Sequence, residues 1–120
     1  MTHAGTRAAA AAFTLLLSGA ARAAGMAGHL QSCTSRSGAT CSEWDVMSAG
    51  PQLQPRLESA CKYSRGKLAM APCPQKKRVG TCTYPAGQGV PGSKLFFYPP
   101  TTLDKARQTC AQEKGIFAER

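Results

Sequence analysis

Three consecutive cations, Lys76-Lys77-Arg78, stand between Pro74 and Val79 in a segment bracketed by Cys73 and Cys82. A loop clamped in this way is displayed, and its charge reads as a site for an anion, which Lys94, Lys105 or Arg107 would extend if a following helix packs behind it. Acid–base chemistry is poorly provided for. His29 lies in a polar segment ahead of the first cysteine, where nothing holds it within reach of a substrate. Glu43 and Asp45 would share one face of a strand, as a glycosidase-like pair would, yet such carboxylates serve equally to balance nearby cations. There is no G-x-S-x-G elbow and no glycine-rich phosphate loop followed by a Lys and a helix. The expectation is therefore a binding protein without catalytic residues or cofactor.

The six cysteines, Cys33, Cys41, Cys61, Cys73, Cys82 and Cys110, are even in number and widely spaced. Zinc sites and thioredoxin-like pairs need closely paired thiols, and no Cys-x-x-Cys occurs, so three structural disulfides are expected and no metal. A weak internal repeat bears on the pairing. Cys61 is followed by Gly66 and Leu68, and Cys110 by Gly115 and Phe117, at identical spacings. Matching Cys41 and Trp44 with Cys82 and Tyr84 as the starts of the two units gives Cys41–Cys61 and Cys82–Cys110. Cys33–Cys73 then remains, one of several pairings that six cysteines permit.

These elements must be carried by a thin domain. Of 120 residues only 7% are aromatic, with a single Trp, and a chain this short buries a modest part of its unfolded surface. Arg7, the apolar run Ala8 to Leu17 and Ala21-Arg22-Ala23 have the design of a secretory leader with cleavage near Ala24. The run is far shorter than a bilayer-spanning helix. The expected organisation is a signal peptide over 1–23, a flexible lead-in over 24–40 and one domain over 41–120, secreted or periplasmic. Loss of Arg7 and Arg22 would leave 13 cations against six acids. Such a surplus suits polyanions and also keeps an exported protein soluble. Rich Ala, Gly, Pro and Arg usage and the Ala-rich leader point to a bacterium.

Periodicity predicts a strand over Cys41–Val46, then a short helix with Leu53, Leu57 and Ala60 on one face, stopped at Gly66. Lys67 to Ala71 alternates as a strand. Val79–Tyr84 and Leu95–Tyr98 read as a hairpin around a Pro- and Gly-rich loop. Thr101 with Asp104 resembles a capping pair for a second helix that carries Leu103, Ala106 and Cys110 on one face and ends at Gly115, after which Ile116 and Phe117 return to the core. Tyr84, Phe96, Phe97 and Tyr98 are read mainly as core, with one of Phe96 and Phe97 exposed if only one sheet face is covered.

Cys73-Pro74, Val79-Gly80-Thr81-Cys82, Phe97-Tyr98 and Cys110 followed by Gly115-Ile116-Phe117 resemble small exported bacterial proteins of unknown function. The resemblance covers the last half of the chain, with Cys41-Ser42-Glu43-Trp44 as a looser match. It implies a disulfide-bearing α+β domain and carries no catalytic residue across.

The sequence thus predicts a small disulfide-stabilised α+β domain, with short strands or a hairpin and two short helices. It is expected to bind an anionic envelope component, a polysaccharide or lipid headgroup, through Lys76, Lys77 and Arg78. Nucleic acid is a further polyanion that such charge would attract. The rival reading is an exported effector, toxin or inhibitor whose clamped loop enters a protein partner.

Overall fold

A computed structural model describes residues 29–87 and 92–119; the expected signal peptide over 1–23 and residues 88–91 lie outside the described residues. The fold is α+β. The strands are β1 (Leu30–Thr34), β2 (Thr40–Asp45), β3 (Lys67–Ala69), β4 (Gly80–Tyr84), β5 (Ser93–Phe97) and β6 (Ile116–Glu119). The helices are α1 (Val46–Tyr63), between β2 and β3, and α2 (Leu103–Gln112), between β5 and β6. All six strands pair antiparallel in the order β3-β1-β2-β5-β4-β6.

The order reads as two strand-strand-helix-strand units placed back to back. In the first, Cys33 faces Ser42 on β2 and Leu68 on β3; in the second, Cys82 faces Leu95 on β5 and Phe117 on β6. Ser42 and Leu95 are themselves cross-strand partners. A pseudo-twofold axis therefore passes between them and relates Trp44 to Phe97, both of them buried. One shift along the chain carries Cys33, Cys61, Gly66 and Leu68 onto Cys82, Cys110, Gly115 and Phe117, so the internal repeat is a structural one.

The bridges are Cys33–Cys61, Cys41–Cys73 and Cys82–Cys110, and the first and third close loops of equal separation, 28 residues. Only Cys82–Cys110 was expected. Cys41–Cys61 is excluded by strand alternation: Ser42 faces Cys33, so its neighbour Cys41 points to the opposite face, away from Cys61. The first unit begins at Cys33, and a unit started at Cys41 exchanges two partners. Each 28-residue loop closure contributes about 3–4 kcal/mol by restricting the unfolded chain.

Both helices lie on one face, each tied to its unit's first strand by a bridge. They end alike. Arg65 and Lys114 take left-handed φ of 60° and 61°, and their amides donate to Lys62 and Ala111 carbonyls at 3.0 and 3.1 Å. The Gly66 and Gly115 amides donate to the Cys61 and Cys110 carbonyls at 2.9 and 3.0 Å, completing a Schellman stop in each unit. The glycines are needed for space: a Cβ on Gly66 would lie 2.6 Å from Cys33 Sγ, and one on Gly115 would strike Cys82 Sγ.

The opposite sheet face is crossed by residues 70–79, which join the units from β3 to β4. That path covers four strand spacings, roughly 19 Å. Ten residues reach at most about 33 Å, which leaves slack for one turn. Cys73 is bridged to Cys41 beneath it, so this strap covers Phe96 while α2 covers Phe97. Both rings are buried, at 3% and 2% exposed, and neither is left open as expected for a one-faced sheet.

Other differences are local. The expected mobile lead-in supplies β1, whose buried Gln31 hydrogen-bonds Gln54 and Glu58 of α1, while Trp44 Nε1 donates to Gln54 Oε1 at 3.0 Å. Helix α1 starts early, at a turn capped by Asp45; it breaks at Gly50 (φ 76°) and resumes at Pro51, a position that needs no donor. Strand β3 stops at Ala69, where the chain leaves to cross the sheet, and Met70 is exposed. Thr102, not Thr101, caps α2, its side chain accepting from the Lys105 amide, while the Thr101 amide closes a turn on the Tyr98 carbonyl. Phe117 packs on the core, but Ile116 remains exposed.

Non-reducing peptide mapping of the oxidised protein will give the linked pairs Cys33–Cys61, Cys41–Cys73 and Cys82–Cys110. A Cys41–Cys61 peptide would contradict the two-unit register.

Candidate anion-binding surface

The strap is held at several points. Besides the bridge, the Cys73 amide donates to Glu43 Oε1 at 2.8 Å, and the Tyr98 hydroxyl donates to the Pro74 carbonyl at 2.6 Å. Arg78 turns inward. Its Nε donates to the Pro74 carbonyl at 2.9 Å and a terminal nitrogen to the Cys73 carbonyl at 3.1 Å, with the guanidinium 3.7 Å from the centre of the Phe96 ring. It closes the strap's turn and covers the core, so it is not a free cation beside its neighbours.

Lys76 and Lys77 form the tip of that turn and are exposed. Lys77 holds φ at 64°, a left-handed conformation that favours Gly or Asn. Both line a cleft of about 300 Å³ with Thr34, Gly38, Pro74, Tyr98 and Pro99. The cations expected to extend this site lie apart from it. Lys94 shares a groove on the strap face with Arg78, Glu43 and Phe96. Arg107 pairs with Glu119, and Lys105 lies in the first turn of α2.

Register brings other cations to Lys76 and Lys77. Thr34, at the cleft, faces Lys67 on β3, and Arg36 lies in the turn between Thr34 and Gly38. Helix α1 ends where β3 starts, which places Lys62 and Arg65 at this same end of the sheet. Arg36, Lys62, Arg65, Lys67, Lys76 and Lys77 thus share one end of the molecule, all exposed, and none makes a side-chain hydrogen bond or ion pair among the described residues. The sequence showed Lys62, Arg65 and Lys67 as closely spaced cations around Gly66; their union with the strap required the pairing of Thr34 with Lys67.

The acids are engaged elsewhere. Glu43 takes the Cys73 amide, Asp45 the Met47 amide, Glu58 the Gln31 side chain, Glu113 the Tyr84 hydroxyl and Glu119 the Arg107 guanidinium. Glu43 and Asp45 do share a face, as alternation predicted, but each is used to hold backbone. His29 is exposed at the edge of the described residues. Of the four aromatics, Phe96, Phe97 and Tyr98 are core. Burial, reinforced by Glu113, pushes the Tyr84 hydroxyl well above the ordinary tyrosine range. Burial also raises Tyr98, against the opposing pull of Arg78. Both phenols therefore stay neutral donors at physiological pH.

Comparison with protein-family models, curated proteins and solved structures finds no match.

Arg78→Ala removes two hydrogen bonds and a ring contact from the strap, and should cost about 2 kcal/mol in denaturant unfolding, whereas Lys76→Ser should cost almost nothing. Equal effects of the two substitutions would contradict the division of the cationic run.

Proposed function

We propose that this protein is exported and acts by binding, without catalysis, holding an anionic component of the cell envelope on its basic end through Lys76 and Lys77. The observation that carries the reading is the unequal use of charge. Five of the six acids are taken up by internal partners, while the six cations of the basic end have none among the described residues. A surface so polarised attracts anions and orients them at one place.

Export is supported by the bridges, which form and persist in an oxidising compartment. Among the described residues no helix is long and apolar enough to cross a membrane. The stiffness of the strap favours binding, because a turn already held by a bridge and hydrogen bonds loses little freedom when it docks.

The test is salt elution from immobilised dextran sulfate, comparing the native chain with a Lys76→Ser, Lys77→Asn variant; Asn suits the left-handed φ at 77. The native protein should be retained and released by salt, and the variant should elute at clearly lower ionic strength, because fewer counterions are displaced on binding. Unchanged elution rejects Lys76 and Lys77 as the site. Retention that ignores salt points instead to a shape-driven complex of the kind a protein partner makes.

A further inference from the structure

The two units provide an internal control. What both retain is what the fold requires: the strand cysteine, the helical cysteine, the left-handed cation at Arg65 and Lys114, and the glycine after it. Where the first unit carries Lys62, Tyr63 and Lys67, the second carries Ala111, Gln112 and Ile116 at the equivalent positions. The same backbone forms in both, so neither the two extra cations nor the aromatic serves folding. Tyr63 is 93% exposed, the most exposed large hydrophobic side chain among the described residues. It stands at the basic end, between Lys62 and Arg65.

The shape of this end restricts what it can hold. Its cations come from four places, the β1–β2 turn, the end of α1, the start of β3 and the strap, and they project outward from the end of a sheet. A small anion needs converging donors. A set of flexible cations spread around the end of a sheet, with one exposed phenol among them, suits an extended anionic plane in which the ring can sit at headgroup level.

We propose that the basic end is a membrane-docking surface that engages a bilayer carrying anionic phospholipid headgroups, with Tyr63 as the interfacial anchor. This rests on the anion-binding reading above and specifies its ligand. The strands then stand end-on to the bilayer, with Arg36, Lys62, Arg65, Lys67, Lys76 and Lys77 against the headgroups. Attraction falls away within a Debye length, so only this end contributes.

The experiment is flotation of the protein, recovered from an exporting bacterial host, with vesicles of equal parts phosphatidylglycerol and phosphatidylcholine, or of phosphatidylcholine alone. Retention on dextran sulfate is measured in parallel. The protein should float with the mixed vesicles and not with phosphatidylcholine. Lys62→Ala with Lys67→Ser should weaken flotation by about 25-fold, at about fivefold per cation. Tyr63→Gln, which installs the residue of the second unit, should weaken flotation several-fold and leave dextran sulfate retention unchanged. Full flotation of Tyr63→Gln, or retention on dextran sulfate without flotation, overturns membrane docking and leaves the anion-binding reading standing. Failure on both supports overturns both.

Discussion

Sulfur replaces the hydrocarbon that this domain lacks. The largest fully buried side chains among the described residues are Cys41, Cys73, Cys82 and Cys110, and beside them and Cys61 the core holds little more than Trp44, Phe96, Phe97, Tyr98 and Ala106. A sheet covered by two short helices and a strap buries too little apolar surface to offset the entropy of ordering so many residues. Three covalent links act on the other side of that balance by removing freedom from the unfolded chain. The rest of the architecture follows from where the links must go. Each helix is tied to the first strand of its own unit, the glycine after each helix leaves room for the cystine, and the remaining bridge fixes the crossing between units.

The duplication separates what folding demands from what it does not. Cys33–Cys61 and Cys82–Cys110, the two Schellman stops and the buried aromatic of each unit recur. The strap, its bridge to Cys41 and the cations of the basic end other than Arg65 do not. A join between two units only has to span the sheet, yet this one is pinned by a disulfide, by Glu43, by Tyr98 and by Arg78, and at its tip it holds two lysines in a fixed turn. The unrepeated parts meet at the basic end.

The sequence was most legible where local chemistry and tertiary structure agree. The hairpin of β4 and β5 and the extent of α2 follow from apolar spacing and breakers, and Gly66 and Gly115 mark the helix ends, although the left-handed residue is the cation before each. Strand β1 was hidden because its buried Gln31 and Ser32 give no apolar alternation; the burial of Gln31 is permitted by hydrogen bonds with Gln54 and Glu58 of α1. The disulfide pairing failed on one point, the choice of Cys41 over Cys33 as the start of the first unit, although the shift relating Cys61 to Cys110 also relates Cys33 to Cys82. At the candidate site Lys76 and Lys77 were read from sequence as displayed loop cations, and both are exposed. The diversion of Arg78 and the recruitment of Arg36, Lys62, Arg65 and Lys67 depend on register, which spacing alone does not reveal.

Equilibrium unfolding in urea, with and without a reductant strong enough to open all three bridges, tests most directly whether sulfur carries this core. The oxidised chain should unfold in one cooperative transition, and the reduced chain should already be unfolded before any denaturant is added. A reduced chain that kept native near-ultraviolet signals and a cooperative transition would contradict the account, because the remaining hydrocarbon would then suffice.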